Sequence, residues 1–189
     1  MKKQICLFLA LSMLTISAMA RTVYSDYYKD LPVDVKPVEE FSIPSRTVDI
    51  RDFGAKGDGI TLATEAIQTA IDRLSADGGG HIVFPQGIWL TGPFELKSNI
   101  GLHLERNSVI YFSPDKELYV DPNPKAGRVR ACISAQRVRN IAITGDGTID
   151  GNGAQWRPVK RMKVSDVEWR RFKNMGGVER QDGSLWYPW

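Results

Sequence analysis

Hydrophobic residues recur along this chain with two different periods, and the two periods occupy separate stretches. Ile67, Ala70, Ile71 and Leu74 stand at i, i+3, i+4 and i+7, the spacing of one face of an amphipathic helix from about Leu62 to Ser75. Thr61 or Thr64 is placed to cap its start. Gly78-Gly79-Gly80 ends it, because glycine tolerates the left-handed conformation common just past a helix C-terminus. From His81 onward short apolar runs alternate with Gly, Asn, Ser and Pro, predicting strands at His81 to Phe84, Ile88 to Thr91, Phe94 to Lys97, Ile100 to Leu104 and Val109 to Phe112. After a polar gap, Ala131 to Ala135, Ile141 to Thr144 and Thr148 to Asp150 continue the series. A short strand is also expected at Thr47 to Ile50. Arg21 to Pro44 has no sustained period and carries Pro32, Pro37 and Pro44 among charged residues, so it reads as an extended lead-in.

No second long helical pattern separates the strands, which disfavours a βαβ sheet. Asn99-Ile100-Gly101-Leu102-His103-Leu104 and Asn140-Ile141-Ala142-Ile143-Thr144-Gly145 resemble one another at an offset of 41 residues, within the range of a solenoid repeat. Each coil of a solenoid buries its inward residues only against its neighbours, so an end must be covered, and the Leu62 to Ser75 helix can lay Ile67, Ile71 and Leu74 over the first coil. A two-sheet sandwich is the structural alternative, since short strands with frequent turns also fit it.

The start of the chain changes the picture of where it works. Lys2 and Lys3, an apolar run from Ile5 to Leu14 and the sequence Ala18-Met19-Ala20 have the form of a cleavable export signal. The apolar run is shorter than the ~20 residues that span a bilayer, and Cys6 lies too early to be the lipid-bearing cysteine of a lipoprotein. Soluble export is therefore expected, to the periplasm or beyond, with domains at residues 1–20 (leader), 21–46 (lead-in) and 47–189. Loss of Lys2 and Lys3 leaves 23 basic against 22 acidic residues, a net charge of +1, which argues against bulk attraction to nucleic acid or membrane. Cys132 is then the one remaining cysteine of the two in the sequence. It cannot form an internal disulfide, and its neighbours Ala131, Ile133 and Ala135 predict a buried, inert thiol. A hydrophobic content of 42% is ordinary for a soluble domain and names no function.

The glycine-punctuated segments carry a family resemblance. Phe53 to Gly59 (FGAKGDG), Thr64 to Ala70 (TEAIQTA) and Gly78 to Gly92 (GGGHIVFPQGIWLTG) resemble the N-terminal segment of pectate-lyase-like β-helix proteins. Gly145 to Trp156 (GDGTIDGNGAQW) narrows the resemblance to glycoside hydrolase family 28, the polygalacturonase and rhamnogalacturonase group. The resemblance runs from about Val48 to Trp156. It implies an all-β right-handed parallel β-helix with an N-terminal capping helix, incomplete at its C-terminus, and hydrolysis of pectin, polygalacturonate or rhamnogalacturonan by inversion, without a cofactor and by a monomer. Inversion needs an acid and a base roughly 6.5 to 9.5 Å apart. The family draws them from Asn-Thr-Asp and Asp-Asp motifs, with Gly-His-Gly and Arg-Ile-Lys motifs holding the uronate, and none of the four occurs here. No catalytic residue is assigned in this chain, and those motifs are expected downstream of Trp189. Two alternatives stay open: a pectate-lyase-like enzyme that eliminates, and a non-catalytic glycan-binding or structural β-helix.

Trp156 and Arg157 are the candidate substrate-binding residues, since aromatic faces stack on sugar rings and guanidinium groups pair with carboxylates. Lys160, Arg161 and Lys163 extend the basic run. Against a uronate-binding loop, Ser165 and Glu168 have the form of a capping box, and Val167, Trp169, Arg170, Phe172 and Lys173 predict a short helix ending at Gly176-Gly177 whose charges are a solvated face. Asp146 and Asp150 sit in Gly-rich turns, where aspartate bonds nearby amides, and are not read as a catalytic pair. His81 and His103 read as ordinary strand histidines, and no metal site is predicted. Trp186, Tyr187 and Trp189 read as residues buried by further chain.

Overall fold

The computed structural model describes residues 28–35, 41–121 and 129–188. The predicted leader and Trp189 lie outside the described residues, as does much of the lead-in. The chain divides into two units, Met1–Phe41 and Ser42–Trp189. In the first, residues 28–35 form a turn and bends with mostly exposed side chains.

The second unit begins with strand β1 (Thr47–Asp49) and helix α1 (Thr64–Ala76), followed by β2 (Gly80–Phe84), β3 (Gly87–Thr91) and β4 (Phe94–Glu95). Then come β5 (Ile100–Leu104), β6 (Ser108–Phe112), β7 (Ile133–Ser134), β8 (Ile141–Gly145) and β9 (Thr148–Asp150). These strands stack into three sheets, β1-β2-β5-β8, β3-β6-β9 and β4-β7. Every pairing among them is parallel. That excludes the antiparallel sandwich and gives the coil-upon-coil arrangement expected of a solenoid.

Register explains why the sequence closes this way. The 41-residue offset is the stacking register itself, with Ile100 beside Ile141 and Leu104 beside Gly145. Alternate residues point inward, so Ile82, Leu102 and Ile143 form one interior column and Trp89, Ile110 and Ile149 another. Phe94 and Phe112 stack with ring centres 5.8 Å apart. The turns obey the same offset: Asn99 and Asn140 both take left-handed φ values, 63° and 54°, and Asn140 Nδ2 donates to Asn99 Oδ1 at 2.8 Å. Gly145 is required where β8 passes under β5. Its φ is +98°, and a Cβ there would lie 2.0 Å from the Leu104 carbonyl oxygen.

Helix α1 turns the predicted face inward: Ile67, Ala70, Ile71 and Leu74 are buried in the same core cluster as the strands. Gly78 and Gly79 follow it with positive φ, and the Gly79 amide donates to the Leu74 carbonyl at 2.8 Å. The predicted start is corrected. Ala63, not a threonine, occupies the N-cap, with no side-chain cap. Thr61 Oγ1 is drawn to Asp58 at 2.7 Å, and Thr64 Oγ1 accepts the Gly92 amide at 2.6 Å, joining the helix to the first coil instead. The FGAKGDG turn is thus organised by Asp58, whose carboxylate also accepts the amides of Ile60 and Thr61. Those bonds, Thr61's first, hold its pKa down at about 2.

Two strands are shorter than expected. Phe94 to Lys97 pairs only at Phe94–Glu95, and Ala131 to Ala135 only at Ile133–Ser134, with Ala131 and Ala135 exposed. Cys132 is half-buried against the core.

The remaining chain forms a small antiparallel element. Strands β10 (Val159–Lys160), β11 (Val178–Glu179) and β12 (Leu185–Tyr187) pair in the order β10-β12-β11, with helix α2 (Asp166–Asn174) between β10 and β11 in sequence. The capping box is present: Ser165 Oγ accepts the Glu168 amide while the Glu168 carboxylate accepts the Ser165 amide at 2.8 Å. The helix ends before Gly176 and Gly177, both at positive φ.

Two outcomes test this account. Leu102→Ala, which empties a fully buried interior position, should lower unfolding free energy by about 2–5 kcal/mol in denaturant titrations; a surface-sized loss would contradict the shared interior. Because the folded-state pKa of Asp58 is depressed, its contribution is present above the unfolded value near ~4 and lost as pH falls through about 2. The melting-temperature gap between wild type and Asp58→Asn should therefore be widest at neutral pH and narrow between about pH 4 and pH 2.

Candidate functional site

Strand β9 delivers the chain to Trp156 through a sharp local turn. The Asp150 carboxylate accepts the Asn152 amide at 2.8 Å, and Asn152 adopts φ 51°. Its buried side-chain amide donates to the Phe112 carbonyl at 3.2 Å, tying the turn to the coil beneath. A 3-10 turn from Gly153 to Trp156 follows, and the Trp156 ring meets Tyr119 edge-on at 4.7 Å and 67°. Tyr119 is itself buried and donates its hydroxyl to the Ser113 carbonyl at 3.0 Å. Asp115 starts the turn that carries Tyr119 by accepting the Glu117 amide. Burial raises the pKa of Tyr119, and Cys132 beside it adds to the rise. Burial also raises the pKa of the Cys132 thiol.

This arrangement supplies a surface, not a nucleophile. Tyr119 is sealed and its proton is committed, and Cys132 is held towards its neutral thiol. Trp156 is half-buried on Tyr119, while Arg157, in extended backbone, is exposed. An aromatic edge beside a free guanidinium can contact an acidic sugar; it cannot break a glycosidic bond. Asp150 is occupied by its turn, and Asp146 stands 3.6 Å from Arg106. His81 lies where a Cβ on Gly101 would come within 2.4 Å of its Nδ1, and His103 Nδ1 is 3.0 Å from Thr144 Oγ1. Both thus lie on the outward face of the first sheet, in different register rows, His81 beside Gly101 and His103 beside Val83 and Thr144. Among the described residues there is no group of three side chains able to hold a metal.

The basic run after Trp156 divides. Arg161 is used internally: its guanidinium donates to the Val164 carbonyl at 2.9 Å, pairs with Asp166 and lies 5.7 Å from the centre of the Trp169 ring. Arg157, Lys160 and Lys163 remain exposed. The expectation that Trp186 awaits further chain is corrected. It is buried within this unit, 5.1 Å from Phe172 in ring-centre distance, with its indole N–H donating to the Gly176 carbonyl at 2.8 Å. Tyr119 and the β10-β12-β11 sheet escape sequence reasoning, the first because it sits in a polar gap without period. The second left one signal, the hairpin dipeptide Asp182-Gly183 shortly before the apolar run Leu185-Trp186-Tyr187.

Comparison with known proteins places these features in a family. The family described as rhamnogalacturonase A/epimerase, pectate lyase-like, matches residues 47–174. A "Probable polygalacturonase" of Vitis vinifera is 38% identical over 129 residues, covering 61% of this chain and 26% of the relative. An "Exo-poly-alpha-D-galacturonosidase" of Dickeya chrysanthemi is 33% identical over 150 residues, covering 70% of this chain and 24% of the relative. Among solved structures, a hyperthermoactive exopolygalacturonase from Thermotoga maritima aligns with a TM-score of 0.54 and 34% identity, over 80% of this chain and 31% of that one. The chain thus spans about a quarter of the length of the curated relatives it matches.

Because Cys132 is half-buried beside Tyr119 and burial raises its pKa, its alkylation by iodoacetamide at pH 8, followed by peptide mapping, should run several-fold slower than that of a free thiol. Trp156→Ala, which removes the ring packed on Tyr119, should accelerate it. A wild-type rate equal to the free thiol would overturn the protection of Cys132 by its burial beside Tyr119.

Proposed function

Because the chain belongs to the rhamnogalacturonase A/epimerase, pectate-lyase-like family, we propose that it is the N-terminal part of an exported, monomeric glycoside hydrolase that cleaves galacturonic-acid-containing pectin with inversion. The observation that carries this reading is the identity to an exo-poly-alpha-D-galacturonosidase of Dickeya chrysanthemi, 33% over 150 residues. The coils wind to the right, the hand favoured for parallel crossovers, and α1 caps the first of them, shielding the Ile67–Leu74 face and the coil's interior together. Ile143, inward-pointing by register yet 50% exposed, leaves apolar surface that a following coil would cover. The acid and base of inversion come from coils beyond this sequence, and this part supplies the scaffold, with Trp156 and Arg157 contacting substrate at its edge. Residues 1–20 direct export and are removed.

Reducing-end and ultraviolet assays on polygalacturonate decide this. The 189-residue chain should release no product, and the polypeptide continued through its downstream reading frame should generate reducing ends without unsaturated uronates. Turnover by the 189-residue chain alone would sink the division of labour, and unsaturated products would replace hydrolysis by elimination.

A further inference from the structure

The basic residues are not spread evenly. Between Arg157 and Pro188 there are eight basic and four acidic residues, whereas residues 21–156 hold 15 basic and 18 acidic. Strand register then orders part of this charge. In the antiparallel sheet Lys160 stands directly opposite Leu185 and Val159 opposite Trp186. On the other side Glu179 stands opposite Trp186 and Val178 opposite Tyr187, and the Arg180 amide donates to the Leu185 carbonyl at 2.8 Å. Directly opposed residues share a face. One face therefore carries the row Val159, Trp186, Glu179. It closes on α2: Trp186 is buried, and Glu179 accepts the Trp169 indole N–H at 3.3 Å and stands 3.5 Å from Lys173. The other face carries the row Lys160, Leu185, Arg180, with Tyr187 and Val178 in the next row.

That second face borders a shallow groove lined by Lys160, Met162, Arg180, Ser184 and Leu185. Met162 is 87% exposed. The groove's carboxylate, Asp182, is already engaged: it accepts the Ser184 amide at 2.9 Å and the Ser184 hydroxyl at 2.5 Å, and lies 3.4 Å from Arg180 Nε. Arg161, at the rim, is fixed by Val164, Asp166 and Trp169 as described, which anchors the backbone next to Lys160. The result is two exposed cations whose backbone positions lie two strand spacings apart, about 9–10 Å, Lys160 and an Arg180 whose Nε is shared with Asp182, with Leu185 between them. Cations so placed meet successive negative charges along a polymer, and the aliphatic strip meets the apolar faces of its rings.

We propose that this face of the β10-β12-β11 sheet is an accessory subsite, outside the coils, for the carboxylates of a polyuronate chain. The proposal rests on the pectin reading above for the choice of polymer. Lys160 and Arg180 bind two carboxylates of one strand, and Leu185 and Met162 line the path between them. Because both cations are exposed, each contact is modest and attraction weakens as salt screens it.

Binding of the full chain to sodium oligogalacturonate, and to the same oligomer fully methyl-esterified, measured by calorimetry at low and at physiological salt, tests this. Wild type should bind the acid form and not the ester. Lys160→Gln/Arg180→Gln should weaken binding about tenfold at low salt and flatten its salt dependence, while Lys56→Gln, an exposed cation of the coils, should change nothing. Unchanged tryptophan fluorescence in the double variant checks that Trp186 stays packed and the sheet intact. Equal binding by wild type and double variant overturns the subsite and leaves the pectin reading standing. Equal binding of acid and ester by wild type overturns its carboxylate basis, and no binding of either overturns the subsite. The hydrolysis assay above decides the pectin reading independently.

Discussion

The structure depends on one constraint: an inward side chain of any coil is buried only if the next coil presents a partner at the same height. Ile82 over Leu102 over Ile143 and Trp89 over Ile110 over Ile149 are two such columns. Much else in the coils follows from keeping them in line. The left-handed Asn99 and Asn140 turn the chain at equivalent points, and their side-chain amides bond across the same 41-residue step. A turn that slipped by one residue would send every inward side chain of its strand to solvent, so the turn residues are as much a part of the core as the aliphatic ones. Gly145 belongs to the same logic, since a side chain there would push apart the two coils whose contact the columns need.

The same constraint explains what was legible in the sequence. The α1 face, the strands Ile100–Leu104 and Thr148–Asp150 and the 41-residue offset could be read because alternation and helical period are direct consequences of burial. The cap of α1 could not. Two threonines suited to it were available, but Thr61 bonds with Asp58 in the preceding turn and Thr64 accepts the Gly92 amide, the second a partner 28 residues away and invisible along the chain. Strands β4 and β7 were overestimated because their apolar runs continue past the two residues that find a partner. In the tail, Ser165 and Glu168 announced α2, whereas β10, β11 and β12 are too short to show any period at all.

The candidate site was legible only as residue types. Trp156 and Arg157 are adjacent in sequence, yet the fold treats them differently, packing the indole on Tyr119 and leaving the guanidinium in water. What the sequence could not show is that a tyrosine 37 positions earlier meets Trp156, because that contact depends on Asn152 turning left-handed and anchoring to Phe112. The four cations after Trp156 look alike in a composition count. Geometry separates Arg161, which is spent on Val164, Asp166 and Trp169, from Lys160, which faces outward in the opposite direction from the buried Trp186 row.

That separation bears on how a carbohydrate-directed protein of this architecture would distribute its work. A long column of like charge stacked at one strand spacing up the coils would repel itself. In the small antiparallel sheet one face is packed, here Trp186 against Phe172 of α2, and on the other Leu185 stands between Lys160 and Arg180 and separates the two cations. The coils therefore hold the shape while the tail carries the excess of positive charge, and the capping box, the Arg161–Trp169 contact and the Trp186–Gly176 bond stiffen that tail. Rigid support matters for such a surface, because weak exposed contacts gain from each charge already held in position.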